Sequence, residues 1–214
     1  MRYSVRFPLL VAALAVAAPN ASARIELPGA TPHFKLLEPA SWLVENDRGD
    51  PQKAGPCGGS NTDWGTESYI VTEAVGGRDL HLRLQETVYH PGHYRVALAV
   101  NSPTELPPDP ETETVDSDRG PLSVSAVIQD PPQIPVLADG LFVHSTRPEG
   151  QMDPFEADIR LPNINCEKCI LQVIQWMADH RFNNPGGFSY HHCAFVKITA
   201  DPNQPLDTGW PAEL

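Results

Sequence analysis

The chain has 214 residues, a length that fits one domain plus a leader better than two full domains. Hydrophobic residues make up 41% of it, which is enough for one core. Its 15 Lys and Arg against 27 Asp and Glu give a formal net charge of −12, which argues against a surface for nucleic acid or another polyanion, whereas a neutral partner carries no such penalty.

Residues 1–23 have the features of a secretory signal peptide. Arginines near the start are followed by an apolar run that is too short to span a bilayer, and then by an A-x-A cleavage sequence that ends at Ala23. The mature chain is therefore predicted to begin at Arg24, with residues 24–32 as a short N-terminal extension. We expect a secreted or periplasmic protein that has no membrane span once the signal peptide is removed.

Short alternating segments predict β-strands further along the chain. In 79–88, three leucines face one way and polar residues face the other, which is the period of a half-buried strand. Gly76-Gly77, just before it, predicts a tight hairpin with the strand 69–75. For 168–177 a short helix stays an alternative to a buried strand. The remaining predicted strands are 93–100, 155–161 and 188–199.

Two segments depart from this pattern. Residues 102–121 are rich in proline and acidic residues and have few apolar anchors, which predicts a mobile surface insertion. Residues 201–214 are predicted to form a loose tail. The fold class predicted for 33–200 is all-β: about seven short strands between turn-rich loops indicate an antiparallel, immunoglobulin- or fibronectin-like β-sandwich with long loops.

Four cysteines in a chain predicted to be exported indicate two disulfides. They are Cys57, Cys166, Cys169 and Cys193, and the residues alone leave all three pairings open. The C-x-x-C spacing at 166–169 also occurs in thioredoxin-type redox pairs and in half of some zinc sites. Disulfides are favoured over both, because the sequence has no second C-x-x-C and the motif does not follow a βαβ-like strand.

Eight histidines are the feature that carries chemistry most directly. Neutral imidazole is a good ligand for copper or zinc, and a sandwich brings distant strand ends together. On the last predicted strand, Tyr190 and His192 share one face while His191 points to the other. One hypothesis is a metal site built from His33, His90 and either Tyr190 or His192; ordinary surface or core histidines are the other. Three histidines stand apart from this group: His81, His144 and His180.

Three stretches of the sequence carry a resemblance to a known family. They are Leu161–Gln172 with the later Gly186-Gly187-Phe188 and Cys193-Ala194, the run His90–Leu98, and His33-Phe34 followed by Pro39. In this order they resemble the lytic polysaccharide monooxygenases of the chitin-binding type-4 group, most of all the chitin-active and insect-type branches. The similarity extends from residue 33 to about residue 199, interrupted by the 102–121 insertion.

The resemblance implies a secreted copper enzyme. His33 would supply its amino group and its imidazole, and His90 a second imidazole, which together form a three-nitrogen histidine brace. Tyr190 would be the axial residue, with His192 as a competitor for that position. The activity implied is oxidative cleavage of glycosidic links in a polysaccharide such as chitin or cellulose, by a monomer that takes electrons from an external donor. The catalytic residues would then be His33, His90 and Tyr190. The disulfides implied are Cys57–Cys193 and Cys166–Cys169.

The predicted mature start at Arg24 leaves two possibilities for the brace. Trimming of residues 24–32 would free the α-amino group of His33 and give the full brace. An internal His33 would leave imidazoles alone, which still permit copper or zinc binding. The alternative function is then a non-catalytic periplasmic copper-binding or carbohydrate-binding module on the same fold. Trp42 and Trp64 are candidates for stacking on sugar faces, with packing in a core or loop as the alternative.

Overall fold

A computed structural model describes residues 33–150 and 152–214 of the chain. The predicted signal peptide and the 24–32 extension lie outside the described residues, so both stay predictions. Within the described ranges, no helix is long and apolar enough to cross a membrane. The strands are β1 (Phe34–Glu38), β2 (Val71–Val75), β3 (Asp79–Glu86), β4 (Gly92–Ala99), β5 (Thr112–Val115), β6 (Leu122–Ala126), β7 (Val136–His144), β8 (Phe155–Arg160), β9 (Cys166–Met177) and β10 (Ser189–Thr199), with a short 3-10 turn at Pro103–Glu105.

Two larger sheets pack face to face, which confirms the predicted all-β sandwich. One sheet has the order β1-β3-β8 and the other β2-β10-β9-β4-β7, while β5 and β6 pair separately. Leu82 and Leu84 of the first sheet are buried against Leu98, Leu171 and Val196 of the second. Burying a side chain of this kind contributes about 1.5–3 kcal/mol, so the alternation read in β3 identifies a core-facing strand correctly.

The predicted hairpin at Gly76-Gly77 is wrong. β2 runs parallel to β10 in the five-stranded sheet, whereas β3 pairs antiparallel with β1 and β8 in the other sheet. The glycine pair therefore carries the chain from one sheet to the other instead of closing a hairpin. Local alternation predicts a strand, but it contains no information about which neighbour that strand pairs with.

Both disulfides that the resemblance implies are present. Cys57–Cys193 joins the loop before β2 to β10 across 136 positions, and Cys166–Cys169 closes within β9. The same segment between β1 and β2 is also hydrogen-bonded to β10 close to the long disulfide. The Trp42 N–H donates to the Cys193 carbonyl at 2.8 Å, and the His191 N–H donates to the Gln52 carbonyl at 2.8 Å. No cysteine of the described chain is free for zinc or redox chemistry.

The 102–121 segment, which the sequence suggested to be mobile, is attached to the sandwich. Its strand β5 forms a hairpin with β6. The Arg95 guanidinium donates to the Pro108 carbonyl at 2.6 Å, and the Trp176 indole N–H donates to the Thr112 hydroxyl at 2.9 Å. Arg95 and Trp176 both belong to the five-stranded sheet, and they point away from the core between the two sheets. The hairpin therefore lies over the outer face of that sheet.

Residues 201–214, predicted as a loose tail, also contact the sandwich. The Asn163 side-chain amide donates to the carbonyls of Gln204 and Pro205 at 3.1 and 2.9 Å. Trp210 packs against the main core. These contacts lie at the Thr199 end of β10, opposite the end that carries Tyr190.

Candidate metal centre

Three histidines from separate parts of the chain meet at one end of the sandwich. His33 precedes β1, His90 lies in the turn between β3 and β4, and His180 follows β9. The ring centroids of His33 and His90 are 4.2 Å apart, and the His180 ring lies 4.8 Å from His90 and 5.8 Å from His33. One nitrogen of each imidazole lies within 4.8 Å of the others, so small side-chain rotations bring all three to the roughly 2 Å of a metal–nitrogen bond. The cluster could hold a metal ion.

Each imidazole of the cluster has a ring nitrogen available to a metal. His33 Nδ1 and His90 Nε2 are buried and have no hydrogen-bond partner among the described residues. In His180, Nδ1 donates to the Arg181 carbonyl at 2.6 Å, which leaves Nε2 with its lone pair. A buried polar atom without a partner costs about 1–3 kcal/mol, and a metal ion satisfies several such lone pairs at once.

The surroundings keep these imidazoles neutral. Burial, with the nearby His90, His180 and Lys53, lowers the pKa of His33 from its usual 6.5 to about 2. Burial and His180 lower the pKa of His90 to about 4. Burial also lowers the pKa of His180, although its hydrogen bond to a backbone carbonyl opposes the change. Because only a neutral imidazole binds a metal, the cluster is ready for one at neutral pH without losing protons.

Tyr190 lies against the cluster, whereas His192 does not. The Tyr190 ring stacks on His33 with centroids 4.2 Å apart and planes 16° apart, and burial raises the pKa of its phenol, which stays protonated. His192 points to the same face but is two residues, or about 7 Å, further along β10. Its Nε2 donates to the Phe34 carbonyl at 3.1 Å, and its Nδ1 lies 3.1 Å from Glu45 Oε1. Both nitrogens of His192 are therefore engaged outside the cluster.

Half-buried His144, paired with buried Glu86, holds the backbone at His90. The Nε2 of His144 donates to the His90 carbonyl at 2.7 Å and lies 3.1 Å from Glu86 Oε1, and its Nδ1 donates to the Phe142 carbonyl at 2.7 Å. Carbonyl oxygens only accept hydrogen bonds, so this arrangement favours the form of His144 in which both ring nitrogens carry hydrogen, which is the cation. Burial opposes this state, but the bonds to Glu86 and to the two carbonyls raise the pKa of His144. Glu86 also accepts from the Tyr94 hydroxyl at 3.0 Å, which fixes its position.

His180 is the member of the cluster that the sequence interpretation missed. β4 and β9 are antiparallel with Gly92 opposite Met177, so the residues after β9 reach the turn before β4. Gly92 suits this close pairing, because a Cβ there would overlap the carbonyl oxygen of Trp176. Antiparallel pairing of these two predicted strands was the signal that could have placed His180 beside His90.

The aromatic candidates for sugar stacking differ in exposure. Trp42 packs against the smaller apolar cluster of the core, which agrees with the prediction of a packing role for it. Trp64, in contrast, is 72% exposed. Phe182, two residues after His180, is 61% exposed and was not singled out in the sequence. A hydrogen bond of 3.3 Å from the Asn61 side chain to the Asn184 carbonyl joins the loops that carry Trp64 and Phe182.

The donor set of the cluster narrows the choice of ion. Three neutral imidazoles beside a protonated tyrosine are nitrogen-rich and uncharged, which suits copper or zinc better than calcium or magnesium, since the latter prefer oxygen ligands. No protein-family model matches the chain, and no curated protein matches it either. The choice of ion therefore follows from the chemistry of these side chains alone.

Proposed function

We propose that this protein is a secreted or periplasmic copper enzyme of the lytic polysaccharide monooxygenase type, which cleaves glycosidic links oxidatively in a polysaccharide such as chitin or cellulose. The observation that carries the proposal is the convergence of His33 Nδ1 and His90 Nε2. Both atoms are buried, and neither has a hydrogen-bond partner in the part of the chain that the structure describes. The two disulfides support an exported protein.

The free nitrogen of His33 is the one that a histidine brace uses. Nδ1 is bonded to the ring carbon that bears the rest of the side chain, so it can share an ion with the α-amino group of the same residue in a short chelate ring. Nε2 is on the far side of the ring and cannot. The free Nδ1 therefore supports a brace made of the His33 amino group, His33 Nδ1 and His90 Nε2.

The chain's own residues prepare this site for a redox ion. Stacking on Tyr190 fixes the plane of the His33 ring, the His144–Glu86 pair fixes the turn that carries His90, and burial keeps the imidazoles unprotonated. Bound copper would supply the one-electron chemistry with oxygen or peroxide that attacks a C–H bond of a sugar, using electrons from an external donor. Zinc fits three imidazoles equally well but supplies no redox chemistry.

The surface around the cluster suits a neutral polymer. His90 and His180 are only half-buried, so the site is open at the end of the sandwich. The net charge of −12 does not oppose an uncharged polysaccharide. Exposed Phe182 and Trp64, on two loops joined by a hydrogen bond, offer ring faces on which sugars stack.

Copper-dependent turnover tests the proposal. Protein loaded with one equivalent of Cu(II) and freed of excess metal is expected to consume peroxide in the presence of a reductant and to release oxidised oligosaccharides from chitin or cellulose. The same preparation loaded with Zn(II) is the matched control and should do neither. Tight copper binding without peroxide consumption and without oxidised products would contradict the enzymatic function.

A second candidate function is copper binding without catalysis, and His180 is the observation that favours it. With a third imidazole in the cluster, an ion can have three nitrogen ligands even if His33 stays internal and has no free amino group. A protein of this kind would bind copper tightly on the same sandwich but would lack the brace.

The pH dependence of copper affinity separates the two candidates. Three imidazoles whose pKa values lie at about 2 for His33, about 4 for His90 and below the usual 6.5 for His180 are neutral above that pH and lose no protons on binding, so the affinity should stay nearly level between pH 8 and pH 7. An α-amino group with its usual pKa near 8 must lose a proton, so the affinity should fall about tenfold per pH unit below pH 8. Competition titrations with a chelator measure this slope.

Mass spectrometry of the mature N-terminus on the same sample is the control for this titration. A start at His33 should accompany the steep pH dependence, and a start upstream should accompany the level one. A start upstream of His33 with a steep slope would contradict the assignment of the amino group as the titrating ligand.

A further inference from the structure

A single buried serine of the β5–β6 hairpin binds the segment that carries His180. The Ser123 N–H donates to the His180 carbonyl at 3.0 Å, and the Asp179 N–H donates to the Ser123 carbonyl at 2.9 Å. The Ser123 hydroxyl donates to the Met177 carbonyl at 2.7 Å and accepts from the His180 N–H at 3.1 Å. Ser123 is fully buried, so water does not compete for these bonds.

The segment between β9 and His180 needs such support because its backbone is in a disfavoured conformation. Asp179 has φ of 53°, which lies in the left-handed region that residues with a side chain rarely adopt. The bonds from Ser123 flank Asp179 on both sides and stabilise this turn. This turn directs the His180 ring towards His90. The hydrogen bond from His180 Nδ1 to the Arg181 carbonyl leaves Nε2 as the free ring nitrogen.

The hairpin itself is fixed to the sheet that ends at the cluster. The Trp176 indole N–H donates to the Thr112 hydroxyl at 2.9 Å, and the Val127 N–H donates to the Glu111 carbonyl at 3.0 Å, so the base of the hairpin is closed and anchored. Trp176 is the penultimate residue of β9, immediately before the segment that Ser123 binds. The hairpin thus bridges the end of β9 and the residue that follows it in the cluster.

We propose that the β5–β6 hairpin is a positioning element for the third metal ligand, and that Ser123 is the positioning residue through which it acts on His180. The inference rests on the proposed copper site and on His180 as a ligand in it, which the second candidate function requires and the three-nitrogen brace does not. It assigns a role to the proline-rich and acidic part of the chain, because 102–121 supplies β5 and leads into β6. Ser123 contacts the backbone around His180 and is not a catalytic residue.

Two matched serine variants test this role in the full-length protein. Ser123→Ala is expected to weaken Cu(II) binding by about 10–100-fold, the range found when a residue that orients a ligand is lost, and to change the electron paramagnetic resonance spectrum of the bound Cu(II). Ser125→Ala removes a hydroxyl from the same strand that donates to exposed Glu113 Oε2, away from the cluster, and should leave affinity and spectrum unchanged. Equal affinities and spectra for the two variants would overturn the proposal.

A double variant shows whether Ser123 acts through His180. His180→Ala removes the third imidazole, so Ser123→Ala should cause no further loss of Cu(II) affinity in that background. A loss as large as in the wild-type background would overturn the proposal, since it would mean that the serine affects the site by general damage to the fold.

Amide hydrogen exchange of the metal-free protein gives a readout that does not depend on copper. Ser123→Ala removes the hydroxyl that accepts from the His180 N–H and keeps the backbone carbonyl that accepts from the Asp179 N–H. The variant is therefore expected to speed the exchange of the His180 amide at least tenfold relative to Ser125→Ala, with the amides of β9 unchanged. Unchanged exchange at His180 would overturn the positioning role. Failure of the wild type to bind Cu(II) would overturn the proposed function instead, and the exchange rates would still decide whether Ser123 holds His180.

Discussion

We expect His90→Ala to bind Cu(II) at least about 100-fold more weakly than the wild type, because loss of a residue that merely orients a ligand already weakens metal binding by about 10–100-fold. The substitution leaves His33 and His180 as the remaining imidazoles of the cluster. Peroxide consumption should be lost together with affinity. Competition titration against a chelator of known affinity measures the first effect, and a reductant-driven peroxide assay measures the second.

The same substitution should leave the metal-free fold intact. His90 is half-buried, and its buried Nε2 has no partner within the described residues, so the substitution breaks no side-chain hydrogen bond at that atom. Removing an unsatisfied buried atom recovers about 1–3 kcal/mol, which offsets the lost contacts of the ring. We therefore expect a thermal midpoint close to the wild type without metal. The rise on adding copper, worth about 2.7 kcal/mol at a hundredfold excess over Kd, should disappear.

His81→Ala is the matched control for this experiment. His81 is an exposed residue of β3, and its Nδ1 lies 3.0 Å from Asp158 Oδ1, away from the cluster. The variant therefore replaces the same residue type by alanine without touching the proposed metal site. Its copper affinity and peroxide consumption should equal those of the wild type. Wild-type affinity in His90→Ala, or an equal loss in both variants, would contradict the metal site.

The parts of the fold that follow from local periodicity could be predicted from the sequence. The alternation in 79–88 identified a strand with its leucines in the core, and the alternation near the end placed Tyr190 and His191 on opposite faces of β10. His191 faces away from the cluster and lies 2.8 Å from Asp109 Oδ1. Strand pairing could not be predicted in this way. The pairing of β2 with β10 is stabilised by contacts between residues more than 100 positions apart, and a local sequence pattern contains no information about such contacts.

The histidine cluster, too, could be predicted only in those parts that depend on local sequence patterns. Tyr190 and His192 share a face, yet the roughly 7 Å between alternate residues of a strand puts only Tyr190 against His33. His180 belongs to no periodic segment, and its position depends on the pairing of β4 with β9 and on Ser123 of the hairpin. A segment whose conformation is set by contacts with another segment carries no signal of its own.

Removal of the Cys57–Cys193 disulfide should lower the free energy of unfolding by about 5 kcal/mol, the largest stability effect expected for a cross-link in this chain. The bond connects positions 136 apart, and the entropy lost by an unfolded chain closed into a loop of that length corresponds to about 5 kcal/mol. Cys166–Cys169, only 3 positions apart, should contribute about 2 kcal/mol. Urea denaturation of the two double-alanine variants measures both losses of unfolding free energy. Because all four cysteine side chains are buried, the two variants lose a similar amount of packing, and the difference between them reflects the length of the closed loop.

The long disulfide should also matter for copper, because the loop that carries Cys57 supports the residue after His33. In that loop the Gln52 side-chain carbonyl accepts from the Phe34 N–H at 3.2 Å, and its backbone carbonyl accepts from the His191 N–H at 2.8 Å. Freed from β10, this loop holds the chain at His33 less firmly, so the variant Cys57→Ala with Cys193→Ala should bind Cu(II) more weakly even where circular dichroism shows it folded. The variant Cys166→Ala with Cys169→Ala should keep its affinity, since that disulfide closes within β9 at the end far from the cluster.

Equal copper affinities in the two variants would show that the loop does not support His33. Equal losses of unfolding free energy would contradict the entropic origin of the difference in stability.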